Sequence, residues 1–341
     1  LTIAVRATMR VVVARAEGGL ENVALEARAV PPAPGPGEVT IELAAGGCNF
    51  ADLVSLKGQY QDRQEFPYVM GLEGAGIVVA AGDGVPRETV GRRVLVVSKG
   101  AFAERMNAPA DRVFALPDGM DFATAAGFAI AYGTAHGALD WQGRLQKGER
   151  LLVLGAAGGV GLTAVEVGKA MGAEVIACAG GADKLAIARE HGADHLIDYR
   201  SEDIRARLRD ICKGAKGGDG PDVVFDPVGG DMFEPVLRQC AWNARIVIIG
   251  FAGGSVPQIP ANILLVKNVS ALGFNFGSYL RNRPDLVRGS MRQLFDWWQK
   301  GALRPLVSAR YDLAQAADAL AELRDRRATG KVVVTTGRHA G

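Results

Sequence analysis

The sequence predicts an α/β protein in which a doubly wound parallel sheet is inserted into a smaller domain of antiparallel strands. Three observations support this fold class. Short alternating apolar runs punctuated by Gly and Pro extend from Arg10 to about Pro117. From Glu149, continuous apolar runs alternate regularly with helical segments, as in a parallel sheet that is buried on both faces. After Phe274 this rhythm stops, so we expect the two flanks to fold together.

The first part of the chain is predicted to form a small barrel or sandwich. Its predicted strands are the runs RVVVAR, EVTIELAA, AGIVVAAG, GRRVLVV and RVFALP. The segment PPAPGPGE cannot be a helix or a central strand, because proline fixes φ and has no N–H to donate. An alanine-rich helical segment follows at residues 121–140, with Asp118 or Asp121 as the expected N-cap.

The central region carries the strand–helix alternation. Its predicted strands are RLLVLG, AEVIACA, DHLIDY, PDVVFDPVG and ARIVIIGF, and the predicted helices between them are GLTAVEVGKAMG, DKLAIAREHG, SEDIRARLRDICK and DMFEPVLRQCAW. We therefore assign residues 133–275 to a dinucleotide-binding domain and residues 1–132 with 276–341 to the second domain. The latter should contain the helices DLVRGSMRQLFDWWQKG and DLAQAADALAELRDR and the strand KVVVTT.

Composition excludes several classes of protein. With 341 residues, 48% hydrophobic, 22% charged and a net charge of +2, the chain has a soluble globular profile and no basic surplus for nucleic acid or anionic membrane. No apolar run approaches the ~20 residues of a membrane span. Arginines interrupt the apolar beginning of the chain, which favours a strand there over a secretory leader. The four cysteines form no C-x-x-C pair, so we expect free thiols and a reducing cytoplasm.

The strongest motif is a glycine-rich turn between a strand and a helix. The buried run LLVL leads into GAAGGVG, and a helix begins at once. Such a turn directs backbone N–H groups and a helix N-terminus toward a pyrophosphate, and side chains there would block the approach. Gly158, Gly159 and Val160 are the predicted contacts to a dinucleotide.

The end of the second strand favours NADPH over NADH. An acidic residue there would bind the adenosine ribose and repel a 2′-phosphate, but EVIACA is followed by Gly180 and Gly181. Lys184 begins the next helix and Tyr199 closes the third strand, so both can meet a phosphate. Asp183 beside Lys184 is interpreted as a helix N-cap.

The motifs AAGGVG, CNFADLVSLKGQY, GLEGAGIV, YGTAHGAL and TGKVVV resemble the medium-chain dehydrogenase/reductase superfamily. Within it they are similar to the zinc-free quinone oxidoreductase, or zeta-crystallin-like, branch. The resemblance covers nearly the whole chain. It implies a Rossmann domain interrupting a GroES-like barrel, NADPH as cofactor and a homodimer. The apolar run NVSALGF at the edge of the Rossmann sheet is the candidate for pairing across a two-fold axis.

The related zinc alcohol dehydrogenases carry ligands that can be checked against this sequence. Their cysteine falls on Asn49, their histidine on Leu72 and their third ligand near Ile130. None of these is Cys, His or a carboxylate, so a zinc with three protein ligands cannot be built there. Glu73 resembles the glutamate that accompanies the missing histidine. His191 and His195 are separated by a helix-ending Gly192 and are interpreted as structural.

The resemblance also implies candidate residues for chemistry. Asn49 is expected near the nicotinamide, Asp52 to fix that segment, and Tyr60 to be a proton donor, as in the similar enoyl-thioester reductases. Thr134 and the segments around Phe251 and Phe274 are expected beside the cofactor; the predicted site residues are thus Asn49, Asp52, Tyr60, Thr134, Gly158, Gly159, Val160, Gly180, Lys184, Tyr199, Phe251 and Phe274.

Without a zinc ion to polarise a carbonyl, hydride transfer requires an acceptor that is already electron-poor. The leading hypothesis is therefore an NADPH-dependent, zinc-independent quinone oxidoreductase acting on a small electrophilic acceptor. The alternative is a reductase of α,β-unsaturated carbonyls or enoyl thioesters. A third hypothesis is a protein that binds the cofactor without significant turnover.

Overall fold

The computed structural model describes residues 8–214 and 218–339. They form two compact units: one comprises the described residues through Ile130 and from Pro305 onward, and the other Ala131–Arg304. The first seven residues of the apolar N-terminal stretch lie outside the described residues. Within the part that is described, no helix has both the length and the apolar character needed to cross a membrane.

The strands confirm the predicted runs and add several short ones. In chain order they are β1 (Thr8–Ala14), β2 (Val23–Ala29), β3 (Glu38–Gly47), β4 (Tyr68–Val69), β5 (Gly74–Ala81), β6 (Arg93–Val96), β7 (Arg105–Pro109), β8 (Val113–Ala115), β9 (Arg150–Leu154), β10 (Glu174–Ala179), β11 (His195–Asp198), β12 (Val223–Asp226), β13 (Arg245–Ile248), β14 (Ser270–Gly273), β15 (Val307–Asp312) and β16 (Lys331–Thr335).

The helices follow the same order. They are α1 (Phe50–Leu56), α2 (Phe122–Ala126), α3 (Ala129–Gly137), α4 (Gly159–Ala170), α5 (Ala182–Glu190), α6 (Ile204–Ile211), α7 (Phe233–Gln239), α8 (Ala261–Lys267), α9 (Phe276–Asn282), α10 (Pro284–Gln299) and α11 (Ala316–Arg324). A π-helical turn, Ala138–Gln142, continues α3.

The first unit is built on antiparallel pairing, as predicted. A seven-stranded sheet has the order β15-β16-β3-β5-β6-β8, with β7 paired to β3, and a three-stranded sheet has the order β2-β1-β4. Strand β3 pairs with β5, β7 and β16, which makes it the centre of the larger sheet. This strand carries five consecutive buried residues at its C-terminal end, so the segment that follows it begins inside the unit.

The second unit contains a six-stranded parallel sheet in the order β11-β10-β9-β12-β13-β14. All five residues of β9 and all four of β12 are buried, which explains the apolar runs LLVL and VVF within them. The sheet is doubly wound, and the strand order reverses between β9 and β12. In such sheets ligands bind outside the carboxyl ends of the strands at this point.

Two details differ from the sequence-based expectation. Residues 276–304 belong to the second unit, because α9 and α10 pack on α3: a Cβ atom placed on Gly133 would lie 2.5 Å from Phe276 Cζ, and Ser290 Oγ lies 3.0 Å from His136 Nδ1. The predicted helix over 121–140 is interrupted between α2 and α3 at Gly127. Asp121 caps α2 as expected, accepting from the N–H groups of the second and third helical residues.

Candidate active site

The glycine-rich turn has the geometry of an anion site. Gly155 has φ +62°, Gly158 is the N-cap, and α4 begins at the next residue. A Cβ atom on Gly161 would overlap the carbonyl oxygen of Gly155, so glycine there lets the helix pack closely on the turn. Gly158, Gly159 and Val160 are partly exposed, whereas the following eight residues of α4 are buried. The first N–H groups of α4 have no partner within the helix and therefore face solvent at the glycine-rich turn.

A second cradle lies at the end of β10. Gly180 is buried, and a Cβ atom placed on it would lie 2.7 Å from the Tyr199 hydroxyl and 2.7 Å from Arg200 Nε. Both side chains therefore lie directly against Gly180. Asp198 Oδ1 accepts from the N–H groups of Arg200 at 3.0 Å and Gly181 at 3.1 Å, and these hydrogen bonds hold the pKa of Asp198 below its usual value. Asp198 Oδ1 is thus already hydrogen-bonded to two backbone N–H groups.

Arg200 is a candidate site residue that the sequence analysis missed. The signal was present, since Arg200 follows Tyr199 directly at the end of the third strand, and parallel neighbours end at the same edge. Lys184 lies in the first turn of α5 and is partly exposed. Gly181, with φ +97°, is the N-cap of α5, so the assignment of Asp183 as N-cap is wrong: Asp183 is the second helical residue.

The loop after β13 rests on the turn after β12. Phe251 is 38% exposed in this loop. Its two following residues are fixed by backbone hydrogen bonds, Ala252 N–H to the Pro227 carbonyl at 3.1 Å and Gly253 N–H to the Val228 carbonyl at 2.7 Å. The segment predicted to cross the cofactor therefore lies at the carboxyl edge of the sheet, and its contact with a cofactor stays a prediction.

Thr134 and Phe274 are both largely buried. Thr134 lies on α3 and is 7% exposed. Phe274 directly follows β14, and its ring stacks on Tyr279 at a centroid distance of 5.0 Å and contacts Trp141 at 6.0 Å. The Phe274 side chain therefore belongs to an aromatic cluster within the second unit. The expected placement of both residues beside a nicotinamide stays a prediction.

In the first unit, Asn49 and Asp52 are brought together at the start of α1. Asn49 is the N-cap, and its backbone N–H donates to Asp52 Oδ2 at 2.8 Å. Burial raises the pKa of Asp52 to about 7, although hydrogen bonds from the backbone N–H groups of Asn49 and Gly71 oppose this rise. At 2% exposure, Asp52 fixes the beginning of the helix. Tyr60 lies in the bend after α1 and is partly exposed.

Glu73 is the centre of a buried hydrogen-bonded cluster, which we call the Glu73 cluster: Cys48, Asn49, Glu73, Ile130 and Lys331. Glu73 Oε1 accepts from Asn49 Nδ2 and Lys331 Nζ, both at 3.0 Å, and Oε2 accepts from the Ile130 N–H at 2.9 Å. Lys331 Nζ also donates to Asn49 Oδ1 at 2.8 Å and to the Cys48 carbonyl at 2.9 Å. The side chains of Lys331 and Glu73 are only 9% and 1% exposed.

The Glu73 cluster does not have the donor set of a zinc site. Of the three positions where the ligands of zinc alcohol dehydrogenases fall, Asn49 and Ile130 donate hydrogen bonds to Glu73, and Leu72 precedes Glu73 in the chain. However, the Asn49 amide is already bonded to Glu73, Lys331 and the Gly47 carbonyl, and Ile130 contributes only its N–H. Among the described residues no group of three His, Cys, Asp or Glu could hold a metal ion. The positive charge beside Glu73 is the Lys331 ammonium, a second residue the sequence analysis missed.

The two histidines at i and i+4 bond separate carboxylates. His191 Nδ1 lies 2.6 Å from Glu166 Oε1, and His195 Nε2 lies 2.7 Å from Glu174 Oε1. Helix α5 ends before them, with Gly192 at φ +107° between the two. They therefore do not form a ligand pair.

Comparisons with known proteins agree with this architecture. Residues 35–118 match the family model of the alcohol dehydrogenase GroES-like domain, and residues 159–298 match that of the zinc-binding dehydrogenase. A quinone oxidoreductase-like protein 2 homolog from Nematostella vectensis is 39% identical over 306 residues, covering 89% of this chain and 82% of the relative. The chain belongs to the medium-chain dehydrogenase/reductase superfamily. Its similarity is to the quinone oxidoreductase branch, as the sequence motifs indicated.

Solved structures support the same assignment. The Escherichia coli quinone oxidoreductase complexed with NADPH has a TM-score of 0.88 and 29% identity, covering 96% of this chain and 99% of that one. A mycobacterial protein, also complexed with NADPH, has a TM-score of 0.88 and 30% identity, with 96% and 99% of the two chains covered. The predicted combination of a GroES-like domain with a Rossmann sheet is therefore confirmed. The chain is an oxidoreductase of a superfamily that binds NAD(P).

Proposed function

We propose that this chain is an NADPH-dependent, zinc-independent oxidoreductase that reduces a quinone. When bound, NADPH supplies the hydride. The N–H groups at the start of α4 bind its pyrophosphate, because Gly158 and Gly159 leave that end of the helix open. Tyr199, Arg200 and Lys184 receive the 2′-phosphate beside Gly180. An arginine fork and a hydroxyl form charge-assisted hydrogen bonds to a phosphate, whereas NADH would leave them unpaired.

The preference for a quinone rests on the residue types at the three positions where zinc-dependent relatives carry their ligands. Reduction of an ordinary ketone in zinc-dependent relatives relies on a Lewis acid, and the side chains at positions 49, 72 and 130 offer no ligand for one. What remains for the protein is to position an acceptor that is already electron-poor and to stabilise the oxyanion that develops. Quinones meet this requirement, and the similar proteins bear the name quinone oxidoreductase.

Asn49 and Asp52 are proposed to stabilise the backbone between β3 and α1. The Asn49 amide is held by Glu73 and Lys331, and Asp52 holds the Asn49 backbone. This arrangement keeps the β3–α1 connection in one shape. Tyr60 follows on the same segment and is proposed as the proton donor when the acceptor is a conjugated carbon–carbon double bond.

We also propose that the protein is a homodimer that pairs through β14. This strand is the last of the Rossmann sheet among the described residues, and an open apolar edge favours pairing. The neighbouring helix α8 exposes Leu265 by 77% and Val266 by 73%, and Trp242 is 64% exposed. A second copy of the chain, related by a two-fold axis, would cover this surface. Light scattering should give twice the chain mass; a monomer would contradict the dimer.

The test of the function is a screen of NADPH oxidation with 1,4-quinones, enals, enones and enoyl thioesters. The proposal predicts turnover with a 1,4-quinone that is unchanged by a chelator. If only enals or enoyl thioesters are reduced, and Tyr60→Phe abolishes that activity, the chain is instead a double-bond reductase. Tight NADPH binding with no oxidation across the panel would favour a binding protein without turnover.

A further inference from the structure

Asp226 is a buried carboxylate that neither the sequence motifs nor the proposed chemistry uses. It is the last residue of β12, at the carboxyl edge of the parallel sheet, and is 1% exposed. Strand β12 pairs with β9, whose end leads into the glycine-rich turn. Asp226 therefore lies where the strand order reverses, at the edge that binds ligands in this class of sheet.

The carboxylate shapes a tight turn. The N–H groups of Val228 and Gly229 each donate to Asp226 Oδ1 at 2.8 Å. The second oxygen, Oδ2, is buried and has no hydrogen-bond partner among the described residues. Burial raises the pKa of Asp226 above its usual value, although the hydrogen bonds from the Gly229 and Val228 N–H groups oppose this rise, because charge-assisted hydrogen bonds are about twice as strong as neutral ones. The turn also requires Gly229 at φ +61°.

This turn touches two loops at once. On one side, Val228 Cγ2 lies 3.2 Å from the position that a Cβ atom of Gly155 would take, so it packs against the glycine-rich turn. On the other side, the carbonyls of Pro227 and Val228 accept from the N–H groups of Ala252 and Gly253. The hydrogen bonds of one side chain thus support both loops that are expected to contact the dinucleotide.

We propose that Asp226 is a positioning residue for dinucleotide binding, holding the 226–229 turn so that the glycine-rich turn and the 250–254 loop keep their binding-competent shapes. Its effect on cofactor affinity rests on the proposed function, namely that these loops bind NADPH. Asp226→Asn weakens the acceptor and places an NH2 group where the buried Oδ2 has no partner. An unsatisfied buried donor is costly, so the turn should loosen and both loops with it.

Asp222 provides a matched control at the other end of the same strand. It precedes β12 at the amino edge of the sheet and accepts from the Arg150 N–H at 2.9 Å and from Arg150 Nε at 3.1 Å. Like Asp226, it is a carboxylate that fixes backbone, but it lies away from the carboxyl edge. Asp222→Asn should lower the melting temperature without changing either loop.

The experiment measures hydrogen exchange of residues 155–161 and 250–255 in the cofactor-free protein, together with the Kd and KM for NADPH. Asp226→Asn should accelerate exchange in both loops and raise the Kd and KM for NADPH at least about tenfold, with kcat largely retained. Unchanged exchange in both loops, or the same changes in Asp222→Asn, would overturn the proposal. If the wild-type protein binds no NADPH, the proposed function fails, and the exchange comparison still decides the role of Asp226.

A second variant keeps the test decisive if Asp226→Asn does not fold. Val228→Ala retains the hydrogen bonds of the turn but removes Cγ2, which lies against Gly155, and Cγ1, which lies 3.4 Å from the position of a Cβ atom on Gly253. Exchange should then rise in residues 155–161 and less in residues 250–255, because the backbone hydrogen bonds from Ala252 and Gly253 remain. Unchanged exchange in residues 155–161 would contradict support of the glycine-rich turn by the 226–229 turn.

Discussion

The buried ion pair between Lys331 and Glu73 should dominate the stability of the first unit. Lys331→Met keeps the aliphatic stem, whose Cβ and Cε lie 3.1 Å from the position of a Cβ atom on Gly127, and removes only the ammonium. Glu73 is 1% exposed. In this variant it still accepts hydrogen bonds from Asn49 Nδ2 and the Ile130 N–H, but no positive charge lies beside its carboxylate. Removal of one partner of a buried pair costs about 3–5 kcal/mol, and we expect a loss of that size.

A double-mutant cycle separates this pair from its surroundings. Glu73→Gln should also destabilise, because it leaves the Lys331 ammonium buried beside the carbonyl oxygens of Cys48 and Asn49 alone. The double variant has no unpaired charge. Its loss should therefore fall short of the sum of the two single losses by about 2 kcal/mol, within the range of residues in direct contact.

The assay must report on the first unit. All four tryptophans, at positions 141, 242, 297 and 298, lie in the second unit, so their fluorescence follows the wrong part of the chain. Native-state hydrogen exchange of β3 and β16 gives the free energy of opening directly. The control is Lys99→Met, which removes an exposed pair with Asp62 and should cost no more than about 1 kcal/mol. A loss for Lys331→Met as small as that of the control, or strictly additive losses, would show that the buried ion pair does not stabilise the first unit.

Three further predictions concern single residues. Arg200→Ala should raise the KM for NADPH about tenfold or more and leave the KM for NADH unchanged in steady-state assays. Equal effects on the two KM values would contradict binding of the 2′-phosphate by Arg200. Gly161→Ala should abolish NADPH binding measured by calorimetry, because its methyl group would overlap the Gly155 carbonyl oxygen. The control Gly289→Ala, in α10, places a Cβ with no other atom within 4 Å and should bind NADPH normally. Burial raises the pKa of Asp52 from 3.8 to about 7, so the folded protein holds the extra proton between these values and the free energy of unfolding falls as pH rises from about 4 to 7. Asp52→Asn should flatten this fall in urea titrations, and an unchanged slope would contradict a raised pKa.

The sequence predicted the parallel sheet almost strand by strand. The buried strands β9 and β12 contain the apolar runs LLVL and VVF. The glycines after β9 have a direct structural cause, because Gly155 has φ +62° and a Cβ atom on Gly161 would overlap the Gly155 carbonyl oxygen. The local sequence pattern is therefore sufficient to predict the strands of the second unit. The break in the helix at Gly127 was not predictable in the same way, since alanine-rich sequence favours helix on both sides and the break lies against the side chain of Lys331, about 200 residues further along the chain.

The side chains that complete the candidate site required the tertiary structure. Lys331 begins an apolar strand, and its ammonium reaches the Cys48 carbonyl across a separation of 283 residues; no local pattern reveals that contact. The contacts of Arg200 and Asp226 were also not predictable from local sequence, because each residue contacts a segment that follows a neighbouring strand of the sheet. By contrast, Leu72 and Asn49 were informative from sequence alone, since the absence of a metal-ligating atom belongs to the residue type and not to its surroundings.

In the proposed function, NADPH reduces a quinone on this protein without a metal ion. The most direct measurement follows NADPH consumption at 340 nm with a 1,4-quinone, before and after treatment with a chelator and gel filtration. We expect quinone-dependent oxidation of NADPH at an unchanged rate after metal removal. Loss of activity with the metal, recovered by added zinc, or no oxidation with any quinone, would contradict it.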